Sequence, residues 1–243
     1  MDKNILGKDV EVYCFDRRDG FGSGLYNSLN VSFGVGDRLE TVTQNRKRVK
    51  DIIGLNRLVS AHQVHGSELF FFEDEPNEDL EVQGYDGLLT AKRGVGLMVQ
   101  QADCQAIMLY DQTAHAVAAL HCGWRGNVLE IAAKAVHEMV ETYRSKPEKI
   151  SALISPSLGP CCAEFINYKS EFPEEFHKHE TVEKHFDLWE VTREQLVGAG
   201  LKPEKINCLR ICTCCTDDYF SYRRSKKMGE IQTGRNCSVI VLR

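Results

Sequence analysis

The 243 residues fit one large domain or two small ones, and a chain of this length can bury a core without disulfides or a partner. Apolar residues at 42% and charged residues at 27% exclude wholesale disorder, collagen and coiled coil. A net charge of −5 gives no basic face for nucleic acid, so no nucleic-acid partner is expected.

A β-forming run at Val10–Phe15 comes first. An amphipathic helix is expected over about Thr41–Ile53, with Val42, Val49, Ile52 and Ile53 on one face and Gly54 as its stop. Strands follow at Leu58–Ala61 and Leu69–Phe72. The acidic stretch Glu73–Glu81 reads as a solvated loop between two strands. Gly96–Val99, Ala106–Tyr110 and Ala116–His121 continue the β pattern. Asn127 reads as the N-cap of a helix from Val128 to about Tyr143, spaced to bury Leu129, Ala132, Ala133, Val136 and Val140. A strand is expected at Ile150–Ile154. The charged segment Glu174–Glu183, with His177-Lys178-His179, reads as exposed helix. A further helix follows Thr192, whose spacing to Gln195 matches a capping box. Ile206–Leu209 and Ser238–Leu242 complete the strands, with Lys226 and Lys227 on a solvated face. Strands grouped in threes favour an α+β class over a doubly wound sheet.

No Pro-, Gly- or Ser-rich linker and no repeat divides the chain, so residues 1–243 read as a single domain. No apolar run approaches the ~20 residues of a membrane span; the best, Ala114–Leu120, includes His115. Residues Met1–Gly7 lack the basic stretch and apolar core of a secretory signal, which predicts a cytoplasmic protein with no membrane partner. In that compartment the ten cysteines are expected to be reduced: buried, metal-bound or catalytic.

Chemistry concentrates in three segments at predicted strand ends: His62-Gln63-Val64-His65-Gly66, Ala102-Asp103-Cys104 and His121-Cys122-Gly123-Trp124-Arg125-Gly126. His, Cys and His from these segments would make a three-ligand zinc site with an open fourth position, as a catalytic zinc requires. The same softness argument admits copper. The bland reading stands beside it: His-x-x-His at a strand end is often two ordinary polar residues. On a strand, residues three apart face opposite ways, so His62 and His65 would not share one ion. Arg125 enters a predicted helix where a guanidinium and backbone N–H groups suit an anion, or it is a structural ion pair. Arg223 and Arg224, read as neighbours on a strand, would send at most one side chain to a site. Cys212-x-x-Cys215 has no second Cys-x-x-Cys to complete four ligands, and Cys161-Cys162 would contribute only if the fold brought them near. Buried free thiols are the default there.

The three segments belong to a longer ordered series. It comprises Tyr26-Asn27-Ser28-Leu29-Asn30, Val35-Gly36-Asp37, Asn45-Arg46, Gly159-Pro160-Cys161-Cys162, Cys212-Thr213, Phe220-Ser221-Tyr222-Arg223-Arg224 and Gly234-Arg235. On these motifs, spread nearly end to end, the chain resembles the YfiH / laccase-domain family. Members of that family are described as polyphenol oxidases, multi-specific purine nucleoside phosphorylases or peptidoglycan editing factors. The resemblance implies an α+β fold with mixed sheets flanked by helices. It also implies that His65, Cys104 and His121 hold a catalytic zinc, His65 being the residue that precedes the glycine of Gln63-Val64-His65-Gly66. Asn30 and Arg46 match family active-site positions, although by chemistry alone they are equally a turn residue and a helix-surface charge. The expected site has His65, Cys104, His121, Arg125 and Asp103 in catalysis, with Asn30, Arg46, His62, Gln63, Glu164 and Arg223 around the substrate. Departures from the family pattern are Gln105-Ala106, Cys122, Ser155, Cys214 and Cys215; none removes a ligand.

The resemblance implies phosphorolysis of adenosine, inosine, guanosine and methylthioadenosine, with hydrolytic deamination of adenosine. The partners would be a purine nucleoside and phosphate, and the sequence sets no oligomeric state. Asp103 or Glu164 would move protons. Four other readings compete. They are a zinc amidase removing L-serine from muramyl precursors, a metal-free hydrolase with Cys104 as nucleophile and His121 as base, a copper phenol oxidase, and a zinc-stabilised binding protein. The oxidase is weakened because laccase chemistry passes four electrons through several coppers. The binding protein is weakened by the open coordination position.

Overall fold

The computed structural model describes residues 3–73 and 76–243. The strands are β1 (Val10–Cys14), β2 (Leu58–His62), β3 (Leu69–Phe71), β4 (Leu80–Gln83), β5 (Gly87–Thr90), β6 (Gly96–Gln101) and β7 (Gln105–Asp111). They continue as β8 (Ala116–Cys122), β9 (Ile150–Ile154), β10 (Glu180–Val182), β11 (His185–Phe186), β12 (Ile206–Cys208) and β13 (Asn236–Leu242). The helices are α1 (Leu39–Ile53), α2 (Trp124–Val128), α3 (Ile131–Tyr143), α4 (Tyr168–Glu171), α5 (Leu188–Gly198) and α6 (Tyr222–Lys227).

Strand alternation sorts the apolar residues into layers. Along β6, Leu97 and Val99 join one buried cluster and Met98 another; along β7, Ala106, Met108 and Tyr110 part from Ile107 and Leu109 in the same way. The shared cluster lies between a five-stranded sheet of order β1-β13-β6-β2-β4 and a six-stranded sheet of order β12-β9-β7-β8-β5-β3. Both sheets mix parallel and antiparallel pairs. Val49 and Ile53 of α1 cover the outer face of the first sheet, and Ala132, Ala135, Val136 and Met139 of α3 cover that of the second. The α+β class with mixed sheets flanked by helices is what the structure has.

Several local readings change. The C-terminal end of the acidic stretch is strand rather than loop: β4 pairs in parallel with β2 at the edge of the first sheet. Val82 is its one buried residue, too little to give a strand signal; residues 74 and 75 lie outside the described residues. Gly123, not Asn127, precedes the helix, and the expected helix divides into α2 and α3. Leu129 falls at that break and is 50% exposed, and Ile52 of α1 is also exposed. Asn127 is buried inside α2 and donates to Thr192 Oγ1 at 2.7 Å. Thr192 is therefore not a cap: α5 starts four residues earlier, where the Asp187 side chain accepts from the Glu190 N–H. His177–His179 fall in a 3-10 turn, with His179 buried against Glu194 at 3.2 Å. Arg223 and Arg224 sit in α6 rather than on a strand.

The chain passes from the first sheet to the second through Ala102-Asp103-Cys104, between β6 and β7. Register then pairs Ala106 with His121 and Gln105 with Cys122. This brings the loops after β2, β6 and β8 to one end of the sandwich. The adjoining interior is held by a polar chain in which Thr192 Oγ1 donates to Gln105 Oε1 at 2.7 Å while accepting from Asn127. Thr192→Val strips the hydroxyl from two buried amides, so unfolding in urea is expected to show a loss of about 1–3 kcal/mol.

A candidate metal centre at the end of the sandwich

His121 lies one residue before the end of β8 and is buried, with only 3% of its surface exposed. Its ring lies edge-on to that of His65, centroids 4.8 Å apart. The Cys104 sulfur stands 3.9 Å from His65 Nε2. One ligand atom each from His65, Cys104 and His121 lies within 4.8 Å of the others. The ligand atoms of a tetrahedral zinc with ~2.0–2.3 Å bonds lie roughly 3.3–3.6 Å apart, close to the Cys104–His65 separation. Two imidazoles and a thiol form a donor set suited to zinc or copper, and the three residues fit such an ion.

Asp86, just before β5, sets the geometry. Its buried carboxylate accepts from His121 Nδ1 at 2.8 Å and from the backbone N–H groups of Val64, His65 and Gly66 at 3.2, 3.0 and 2.7 Å. One carboxylate therefore orients the His121 ring and pins the turn that presents His65, which takes φ +60°. Burial pulls the Asp86 pKa up, but the His121 contact and the N–H donors prevail and hold it below the ordinary carboxylate range. Gly123 is required for close approach: a Cβ there would sit 2.9 Å from the Cys104 sulfur and 3.3 Å from His65 Cδ2.

The electrostatics favour a ligating sulfur. Burial alone would push the Cys104 thiol up, yet the His121 and His65 imidazoles outweigh it and bring it down to about 6. For His121, burial acts downward, but the Cys104 sulfur and Asp86 raise it to about 9. The two shifts act together, each group favouring the charged form of the other. Burial pushes Cys14 up to about 11, and it also raises Cys122 and Cys237.

The cluster opens into a cavity of about 840 Å³. His62, Gln63, Asp103, Arg125, Glu164 and Arg223 all line it with the three candidate ligands. His62 is exposed at the end of β2, and the turn after the strand, not strand alternation, separates it from His65. Gln63 is clamped to the Gln100 backbone, donating at 2.7 Å and accepting at 2.9 Å. Both Asp103 oxygens are engaged, by Thr213 Oγ1 at 2.7 Å and the Arg223 N–H at 2.6 Å. Arg125 is exposed, its guanidinium 5.1 Å from the Trp124 ring.

Asn30 and Arg46 are not among the residues on the cavity wall. Both are buried behind the Ser32–Val35 segment that does line it. Asn30 donates to Asp37 Oδ2 at 3.0 Å and accepts from the Arg235 N–H at 2.9 Å. Arg46 donates to the Val31 carbonyl at 2.8 Å and pairs with Glu81 at 2.5 Å. Sequence reasoning missed Asp86. It is an Asp-Gly before a short apolar run, which signals only a turn, and its partners lie 20–35 residues away. Arg235, of the Gly234-Arg235 motif, also lines the cavity.

The family model described as multi-copper polyphenol oxidoreductase laccase matches residues 11–243. A purine nucleoside phosphorylase of Bacteroides thetaiotaomicron is 29% identical, covering 96% of each chain. One of Corynebacterium glutamicum is 31% identical over 93% of this chain and 92% of its own. Among solved structures, the hypothetical protein YfiH of Bacillus licheniformis superposes with a TM-score of 0.86 at 29% identity, covering 96% of this chain and 93% of that one. YlmD of Geobacillus stearothermophilus gives the same TM-score and identity, over 97% and 92%. No helix among the described residues is long and apolar enough to cross a membrane.

Two outcomes test this centre. Asp86→Asn is expected to weaken zinc binding about 10–100-fold in a competitive chelator titration, because His121 and the His65 turn lose their shared acceptor. In metal-free protein, alkylation of Cys104, followed by peptide mass spectrometry, should rise through pH 6, and His121→Asn should move that midpoint upward.

Proposed function

The chain belongs to the multi-copper polyphenol oxidoreductase laccase family, which includes YfiH- and YlmD-named proteins, and from that membership and its site we propose a cytoplasmic, zinc-dependent purine nucleoside phosphorylase that also deaminates adenosine. The observation that carries this reading is the cavity itself. It joins the His65–Cys104–His121 cluster to three guanidinium groups, Arg125, Arg223 and Arg235, and to the apolar surfaces of Trp124, Phe165, Ile166 and Leu188. Its volume of about 840 Å³ suits a nucleoside with a phosphate beside it. Relatives over nearly the whole chain are named purine nucleoside phosphorylases.

Phosphorolysis breaks the bond between ribose C1′ and the base, bonds a phosphate oxygen to C1′, and leaves the departing base to take a proton. Such a reaction is served by positioning and by charge held ready where it develops. We assign the phosphate to Arg125, whose planar fork matches it, with Arg235 behind. Burial pulls the Arg235 pKa down, which marks a guanidinium held out of bulk water, where an anion is bound more strongly. The flat apolar wall takes the base. Proton movement falls to Glu164, half-buried on the wall, because both oxygens of Asp103 are committed to Thr213 and Arg223. Held by His65, Cys104 and His121 with a fourth position free, zinc would supply Lewis acidity and a lowered water pKa for attack on the purine ring. Copper fits the same donors, but four-electron chemistry on dioxygen calls for several such ions. The described residues gather one histidine-containing group.

A second reading rests on the Cys104–His121 pair, which equally suits a metal-free hydrolase attacking through Cys104. Chelation separates the two, since the thiol enzyme survives it. Metal-replete protein should be incubated with adenosine, with and without phosphate, and with a serine-containing muramyl precursor, followed by mass spectrometry of products. We expect phosphate-dependent release of adenine, phosphate-independent formation of inosine, and an unchanged precursor. Serine release with inert adenosine would replace this reading with the amidase. Arg125→Ala should reduce phosphorolysis more than deamination; equal losses would make Arg125 structural. Glu164→Gln should keep its metal and lose about 10²-fold or more in kcat.

A further inference from the structure

The four sulfurs of Cys161, Cys162, Cys212 and Cys215, carried on two turns, lie within 4.8 Å of one another. Cys215 reaches Cys161 at 3.5 Å and Cys162 at 3.4 Å. Both turns are tightly made: the Cys162 N–H donates to the Gly159 carbonyl at 2.9 Å, and the Cys215 N–H to that of Cys212 at 3.2 Å. A parallel bridge of Ser157 to Cys212 joins them, with the Thr213 N–H donating to the Ser157 carbonyl at 3.0 Å. The convergence is thus a product of the backbone, not of side-chain chance.

We propose that these four cysteines are the ligands of a structural zinc ion, separate from the His65–Cys104–His121 centre. The spacing fits one ion: four ~2.3 Å zinc–sulfur bonds in a tetrahedron put the sulfurs about 3.8 Å apart. Disulfides would pair the sulfurs two by two at ~2.05 Å, whereas here two sulfurs converge on Cys215 at 3.5 and 3.4 Å. An iron–sulfur cluster spreads its thiolates around several atoms and needs a wider opening. Four protein thiolates close the coordination sphere, which is the structural rather than the catalytic arrangement. On zinc binding the thiol protons leave for solvent, and the resulting site carries a net charge of about −2 from four thiolates and one divalent ion.

Donors and two guanidinium groups hold the loops in place. The Gly159 N–H donates to the Cys212 sulfur at 3.3 Å. Arg223 donates to the carbonyls of Cys162 and Glu164 at 3.2 and 2.8 Å, and Arg224 to those of Thr213 and Thr216, each at 2.7 Å. Two guanidinium groups therefore lie against the loops that bear the thiolates. The same loops carry Leu158, Glu164 and Phe165 on the cavity wall, and Thr213 holds Asp103. The ion would lock that wall.

The test uses the Cys104→Ala/His121→Ala double variant, purified from zinc-supplied cells under reducing conditions, so that the first centre does not contribute. About one zinc per chain should remain by elemental analysis, resist EDTA and leave with a mercurial. Cobalt reconstitution of the same protein should give the visible bands of tetrahedral cobalt with strong thiolate charge transfer, and added Cys215→Ser should abolish the zinc and reduce the charge transfer. The cobalt spectrum needs no change to the four thiols, so it holds even if Cys215→Ser misfolds. A zinc-free double variant whose four thiols react at once with a disulfide reagent, or whose mass shows a disulfide, overturns the proposal. The result is independent of whether the first centre holds metal.

Discussion

A single buried carboxylate organises the working end of this protein. Asp86 accepts four hydrogen bonds, three from consecutive backbone N–H groups and one from an imidazole. An ionised carboxylate taken out of water is costly unless its lone pairs are filled, and here they are. The anion fixes the turn bearing His65, fixes the tautomer and tilt of His121, and raises the proton affinity of that ring. Cys104 then feels a positive neighbour and sheds its proton more readily. Ligand geometry traces to one side chain that is not itself on the cavity wall.

The layered frame explains why the centre can be both rigid and open. Its three candidate ligands come from a turn after the first sheet, from the segment crossing between sheets, and from a central strand of the second sheet. None sits in a long loop. The cavity forms where the two sheets part, so the sandwich supplies a floor of packed strands while the sides are made by shorter segments around residues 32–35 and 158–167. Asn30 and Arg46 belong to this support: buried and saturated, they hold the Ser32–Val35 segment in place.

Much of this was legible in the sequence because the signals were local. Short continuous apolar runs marked β6, β7, β8 and β13, and three clusters of His, Cys and Asp at strand ends marked the centre. What stayed hidden depends on partners far along the chain. Asp86 looks like a turn residue until β5 places it beside residues 64–66. Thr192 has a capping-box neighbour in sequence, but its hydroxyl is drawn instead to Gln105 and Asn127 across the interior. Edge strand β4 carries one buried residue and no pattern. The cysteines at 161, 162, 212 and 215 form two unremarkable pairs until the bridge at Ser157 brings them together.

The lowered Cys104 thiol has a cost outside catalysis. A half-buried thiolate at the edge of an open cavity is the form that peroxides attack, giving a sulfenic acid first and irreversible acids after. Buried Cys14, Cys122 and Cys237, whose thiols are pushed upward, are shielded by their protonation as well as their burial. Of these four thiols, Cys104 is therefore the one most open to oxidation. A metal ion engaging that lone pair would double as its protection, tying the lifetime of the enzyme in an oxidising cell to how continuously the centre is filled.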